Sequence, residues 1–140
     1  MSVTIDTNSP KITNFELSYL IDEENLPFET IQNKQFLQKT TSKKSFGFLL
    51  DKTLWLKTDI KIQSDIKELF IQQSDAINVM EISFYLFEKD TLIAQKDGGI
   101  KYINSKNADL FIKTPVEKGK TYTLFAAYKS QAPMLVDINI

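Results

Sequence analysis

Trp55, Lys57 and Asp59 stand at alternate positions of one short run, LWLKTDIKIQ, residues 54–63. In an extended strand, successive side chains point to opposite faces. The three therefore share a face: an aromatic plane followed by a cation and a carboxylate. Such a face suits a ring-shaped ligand. The aromatic plane packs on the apolar C–H face of a sugar, and the polar neighbours take its hydroxyls. A second run, EISFYLFEK (81–89), repeats the arrangement. Ile82, Phe84 and Leu86 make one face, and Glu81, Ser83, Tyr85 and Phe87 the other. If the two aromatic faces line one surface, Trp55, Tyr85 and Phe87 are stacking platforms. Lys57, Asp59 and Glu81 are then their hydrogen-bonding partners.

The same pattern has a second explanation. Leu54, Leu56, Ile60 and Ile62, with Thr58 as the polar exception, form the core-facing side of the first run. Trp is a residue that folded proteins usually bury, with its N–H on a partner. A cover over the outer face, from the 21–36 segment or the N-terminal lead-in, makes Trp55 scaffold. Lys57 and Asp59 then reduce to a solvated charge pair worth a few tenths of a kcal/mol.

Composition removes most other chemistry. The chain of 140 residues has no Cys and no His, and all 17 of its basic residues are Lys. Structural zinc, haem and most transition-metal sites lack their ligands. Serine, cysteine and histidine catalysis lacks its base or its nucleophile. Without Arg there is no bidentate fork for carboxylate or phosphate. A paired-carboxylate glycosidase, with Glu81 and Asp59 as the pair, is the one enzyme left to consider. No motif supports it, so no enzymatic activity, cofactor or metal is expected. A net charge of -1 argues against a nucleic-acid partner. No apolar run reaches the length of a membrane helix, and MSVTIDTNSPK lacks the features of a signal peptide. On composition alone this is a soluble globular domain.

The elements that must position these residues are mostly strands. Residues 1–13 form a polar, extended lead-in, and 14–140 a single domain. Phe15, Leu17 and Tyr19 are in strand phase. Pro27 suits the first turn of a short helix over 27–33, with Phe28, Ile31 and Gln35 on one side. LQKTTSKKS (37–45) reads as a polar loop, with a solvated charge run at 42–44. Strands are predicted at 46–50, 54–63, 67–73, 77–87, 91–96, 100–103, 108–113, 121–129 and 133–140. EKD (88–90), KDGG (96–99) and TPVEKGK (114–120) carry turn chemistry. IDEEN (21–25) clusters acids without calcium-loop spacing; acids there complement the following helix. Many short strands with almost no helix predict an all-β, jelly-roll-like antiparallel β-sandwich with one short helix.

The order of these features resembles a known family. FELSYLIDEENLPFETIQNKQF runs a strand into acids, a short helix and a Phe. SFGFLLDKTLWLKTDIKI gives an aromatic-Gly-aromatic step and a Trp-Leu-basic strand. ISFYLFEKD and LFIKTPVEKGKTYTLFAAYKSQAPMLVDINI complete the string. The chain, over roughly 14–140, resembles the extracytoplasmic sensor domain, of the second ectodomain type, of bacterial seven-transmembrane receptors with diverse intracellular signalling modules. The resemblance implies a carbohydrate-binding-module-like jelly roll outside the inner membrane, on the periplasmic side. A seven-helix membrane region and a cytoplasmic output module would follow it in the parent protein. It also implies a small-molecule or carbohydrate ligand. One departure stands out: the family often has Arg two residues after the Trp, and here that position is Lys57. A carbohydrate-binding module of a polysaccharide-degrading enzyme is the alternative expectation.

Overall fold

The computed structural model describes residues 1–8, 10–47, 49–74, 81–98, 110–129 and 134–140. The predicted strand 100–103 lies wholly outside these residues, as do residue 48 of 46–50, 77–80 of 77–87, 108 and 109 of 108–113, and 133 of 133–140.

The elements in chain order are β1 (Ser2–Ile5), β2 (Glu16–Asp22), α1 (Phe28–Gln32), β3 (Gln38–Thr41), β4 (Lys43–Gly47), β5 (Thr53–Ile62) and β6 (Glu68–Gln73). β7 (Glu81–Glu88), β8 (Thr91–Gly98), β9 (Leu110–Pro115), β10 (Thr121–Lys129) and β11 (Met134–Asn139) follow. They build an all-β sandwich of two sheets. The larger has the order β3-β2-β5-β10-β7-β8, with β1 also on β5; the smaller has the order β4-β11-β6-β9. From β3 onward the chain passes between the sheets at almost every connection, which is the jelly-roll-like habit.

The main core lies between the sheets and follows the period of two. Leu54, Leu56, Ile60 and Ile62 of β5 meet Ile82, Phe84 and Leu86 of β7, and Tyr122, Leu124 and Tyr128 of β10. Leu69, Ile71, Ile112, Val136 and Ile138 close it from the smaller sheet. Thr58, the polar exception, is buried in the same phase and donates its Oγ1 hydrogen to the carbonyl of Glu16 at 3.4 Å. Another polar side chain also belongs to the interior. Gln73 is fully buried, and its Oε1 accepts from the Tyr128 hydroxyl at 2.5 Å and from the Asp137 N–H at 3.0 Å.

Several expectations change. The polar stretch 37–45 is not a loop: β3 pairs with β2 at the edge of the large sheet, and β4 pairs with β11. Edge strands need backbone partners on one side only, so their side chains stay polar. Residues 1–13 are extended, but β1 is also a paired strand, parallel to β5 with Val3 opposite Ile60. The helix is shorter than 27–33, with Pro27 as its N-cap in extended conformation. Its sheet-facing residues are Phe28 and Ile31, while Gln35 is exposed. EKD turns the β7–β8 hairpin, with Lys89 at φ 53. TPVEKGK turns at Gly119, φ 87. KDGG does not turn within its described part: Gly98 ends β8, and a Cβ there would lie 2.8 Å from Leu110 Cδ1. That glycine is required by close approach rather than by a turn.

Candidate functional site

The site is the outer face of the large sheet, and β10 decides its layout. β10 lies between β5 and β7, so the two aromatic runs of the sequence are next-nearest neighbours. The register sets Trp55 opposite Ala127 and Ala127 opposite Ser83. The next row is Lys57, Phe125 and Tyr85, and the one after it Asp59, Thr123 and Phe87. Ala127 is small enough for the indole to lean across it, and the Trp55 and Tyr85 ring centroids lie 6.1 Å apart. Trp55, Tyr85 and Phe87 do share one surface, and Phe125 completes it.

That surface is covered. After β2 the Asp22 carboxylate accepts from the Glu24 N–H at 2.9 Å and the Leu26 N–H at 2.7 Å. Asn25, at φ 52, donates its side-chain amide to the Asp51 carbonyl and accepts from the Thr53 hydroxyl. The acids of IDEEN thus build a turn, and Glu23 pairs with Lys52. The turn lays α1 over the sheet. Phe28 stacks on Tyr85 with centroids 4.4 Å apart and planes 9° apart, and on Trp55 at 5.4 Å and 23°. It meets Phe125 edge-on at 5.3 Å and Phe87 at 5.8 Å. Ile31 and Phe36 complete the cover. Under it Trp55 is only 5% exposed and Phe87 only 6%, and Tyr85 is half-buried. The Trp55 Nε1 hydrogen is buried and has no acceptor among the described residues. With Phe28 seated, the indole is part of a second core and presents no open face.

The polar candidates divide. Lys57 is half-buried, with its ammonium 5.2 Å from the Phe125 centroid and 5.9 Å from that of Phe36. Its position is that of a cation on aromatic faces, a role in which Arg would stack more broadly. Asp59 accepts from the Thr123 hydroxyl at 2.8 Å. The described contacts of Lys57 and Asp59 are thus with rings and a hydroxyl rather than with each other. Both line an open cavity of about 500 Å³ with Ser18, Lys34 and Phe36. Glu81 lies elsewhere, at the start of β7 in register with Lys129. Asp59 is level with Phe87 at the other end of that strand. Six residues of strand separate the two acids by about 20 Å along the sheet. A glycosidase pair works at roughly 5–9.5 Å, so these two cannot act together.

Sequence reasoning missed Phe36 and Phe125, and gave Phe28 to the helix without assigning it to the site. Phe125 was detectable: it stands on the polar phase of TYTLFAAYK, opposite Leu124 and Ala126. The same test marks two more residues. Phe70 of β6 and Phe111 of β9 are off the core phase, 44% and 40% exposed, and stack at 5.1 Å on the outer face of the small sheet.

An all-β two-sheet sandwich with aromatic side chains layered on an outer sheet face is the class that fold and site define. Within it, the 7TMR-DISM extracellular 2 family matches residues 15–140, nearly the whole chain, and the protein belongs to that family. It is an extracellular domain of the seven-transmembrane receptor kind. No curated protein matches the chain. Among the described residues, no helix is long and apolar enough to cross a membrane.

Proposed function

We propose that this domain senses a small ring-bearing molecule, such as a carbohydrate, on the outer face of its large sheet. Its occupancy would be passed to the membrane helices and cytoplasmic output module of the receptor. The observation that carries this reading is the aromatic layer of Trp55, Tyr85, Phe87 and Phe125 beside the cavity at Lys57 and Asp59. Tyr85 and Phe87 supply stacking area once the Phe28 ring lying on them is displaced. Lys57 and Asp59 supply a donor and an acceptor at the open end, and Glu81 marks the far end of the same face. The site binds without turnover, since its carboxylates are too far apart to share a substrate. The family match favours a receptor ectodomain over a carbohydrate-binding module of a polysaccharide-degrading enzyme.

A second reading places the ligand on the exposed Phe70–Phe111 stack. Phe70 borders a cavity of about 560 Å³ that Gln72 and Asn139 also line. Calorimetric titration against a glycan and metabolite panel decides between the two. Tyr85→Ala should weaken binding by about 1–3 kcal/mol, the scale of aromatic stacking on a planar ligand, and Phe111→Ala should leave it unchanged. The reverse pattern moves the site to the small sheet. No binding by any panel member leaves the sensing role without support.

A further inference from the structure

The cover over the aromatic layer is attached in an unusual way. Its two ends are fixed by hydrogen bonds. Asn25 is held to Asp51 and Thr53 at one end, and Gln38 pairs with Tyr19 at the other. Between them, among the described residues, the hydrogen bonds of 27–37 stay within the segment. They are Thr30 and Ile31 N–H to the Pro27 carbonyl, Asn33 N–H to Thr30, Lys34 N–H to Ile31, and the Asn33 amide to Glu29. The helix is five residues long, with no capping side chain. What holds 27–37 down is Phe28, Ile31 and Phe36 packing on the sheet, with Lys57 against the Phe36 ring. The main core shares none of its buried residues with this second cluster. Lifting the segment therefore breaks no strand pairing.

Phe28 also occupies a position that is not closed to other rings. It lies parallel to Tyr85, nearly parallel to Trp55, and edge-on to Phe125. A buried donor without an acceptor is a cost that folded proteins usually avoid, and the Trp55 N–H is one. Phe28 brings that hydrogen no oxygen or nitrogen acceptor; a ring bearing a hydroxyl or carbonyl does.

We propose that 27–37 is a strap that lifts as a unit, and that the place Phe28 vacates is a subsite for a neutral ring carrying a hydrogen-bond acceptor. Tyr85, Phe87 and Phe125 hold the ring, and Trp55 Nε1 donates to its substituent. Phe28 is the resident occupant that a ligand must displace. This rests on the sensing role of the same face and adds the ligand class and the step that admits it.

The single Trp makes the site its own reporter. In the intact domain, hydrogen exchange of the Trp55 indole N–H should proceed through an opening that leaves the Leu56 and Leu124 amides protected. Phe36→Ala should accelerate it, although Phe36 packs on Phe125 and has no ring contact with Trp55. Exchange only at the rate of those sheet amides, or no response to Phe36→Ala, overturns the strap. In Phe28→Ala, benzyl alcohol and methyl glucopyranoside are titrated against Trp55 emission. A saturable shift with either is expected, and no shift with both overturns the subsite. Should Phe28→Ala fail to fold, the same titration on Phe36→Ala carries the test. Neither measurement uses a physiological ligand. An empty ligand panel would therefore defeat the sensing role while leaving the strap, and slow indole exchange would do the opposite.

Discussion

Replacing Trp55 by alanine removes a side chain that is 5% exposed and packed under Phe28 and beside Tyr85. Truncation of a buried Trp costs about 3–5 kcal/mol in transfer and cavity terms. Part of this returns, because the same substitution removes a buried, unpaired N–H, a group whose desolvation costs roughly 1–3 kcal/mol. The net loss, taken between the middles of the two ranges, should be about 2 kcal/mol. Domains of this kind hold about 5–15 kcal/mol, and the core between the sheets is untouched, so Trp55→Ala should still fold. At roughly 2–4 °C per kcal/mol, its melting temperature should fall by about 4–8 °C. Trp55→Phe is the control with the opposite balance. It keeps a ring under Phe28 and loses the orphan donor, so its stability should stay within about 1 kcal/mol of wild type. Urea unfolding followed by far-UV circular dichroism measures both, since neither variant retains a tryptophan to report. A Trp55→Ala protein as stable as wild type would mean that the indole is not sealed under the strap. A Trp55→Phe protein as damaged as Trp55→Ala would mean that the N–H has a partner.

Other outcomes follow from particular contacts. Gly98→Ala drives a methyl to 2.8 Å from Leu110 Cδ1 and 3.2 Å from its Cβ, and should cost about 1–3 kcal/mol by overpacking, read as a lowered melting temperature. Burial first, and then the Asp137 charge, hold the Tyr128 hydroxyl well above the usual tyrosine range. In the unfolded chain that hydroxyl ionises near pH 10, so the unfolded state binds fewer protons there. Stability should fall as pH rises above about 10, by at most about 1.4 kcal/mol per pH unit from this group. Tyr128→Phe should flatten that part of the alkaline profile in urea titrations, and an unchanged slope would contradict it. The same variant should lose only about 1 kcal/mol at pH 7, because Gln73 Oε1 keeps the Asp137 N–H. Glu81→Gln should leave any ligand affinity at Tyr85 nearly unchanged, since Glu81 lies one row beyond Ser83, away from Phe87; a large loss of affinity would extend the site to that end.

Alternation within single strands, set by local chain geometry, was legible in the sequence. The core faces of β5 and β7, the β7–β8 hairpin and the short helix after Pro27 all follow from the positions of apolar, Pro and turn residues along a few consecutive residues. The family likeness rests on the same local punctuation. A period of two separates a strand's faces, but it does not say what covers either one. Trp55 is buried because a segment more than twenty residues earlier lays Phe28 on it, and that placement depends on Asp22 and Asn25 turning the chain. Phe125 joins the site because β10 runs between β5 and β7, a pairing between distant parts of the chain. The strand 38–41 looked like a loop because an edge strand draws its support from backbone pairing with β2, not from apolar side chains. The separation of Glu81 and Asp59 was open in the sequence because face was known and register was not. Local sequence fixes a side chain's direction; only the packing of distant strands fixes its company.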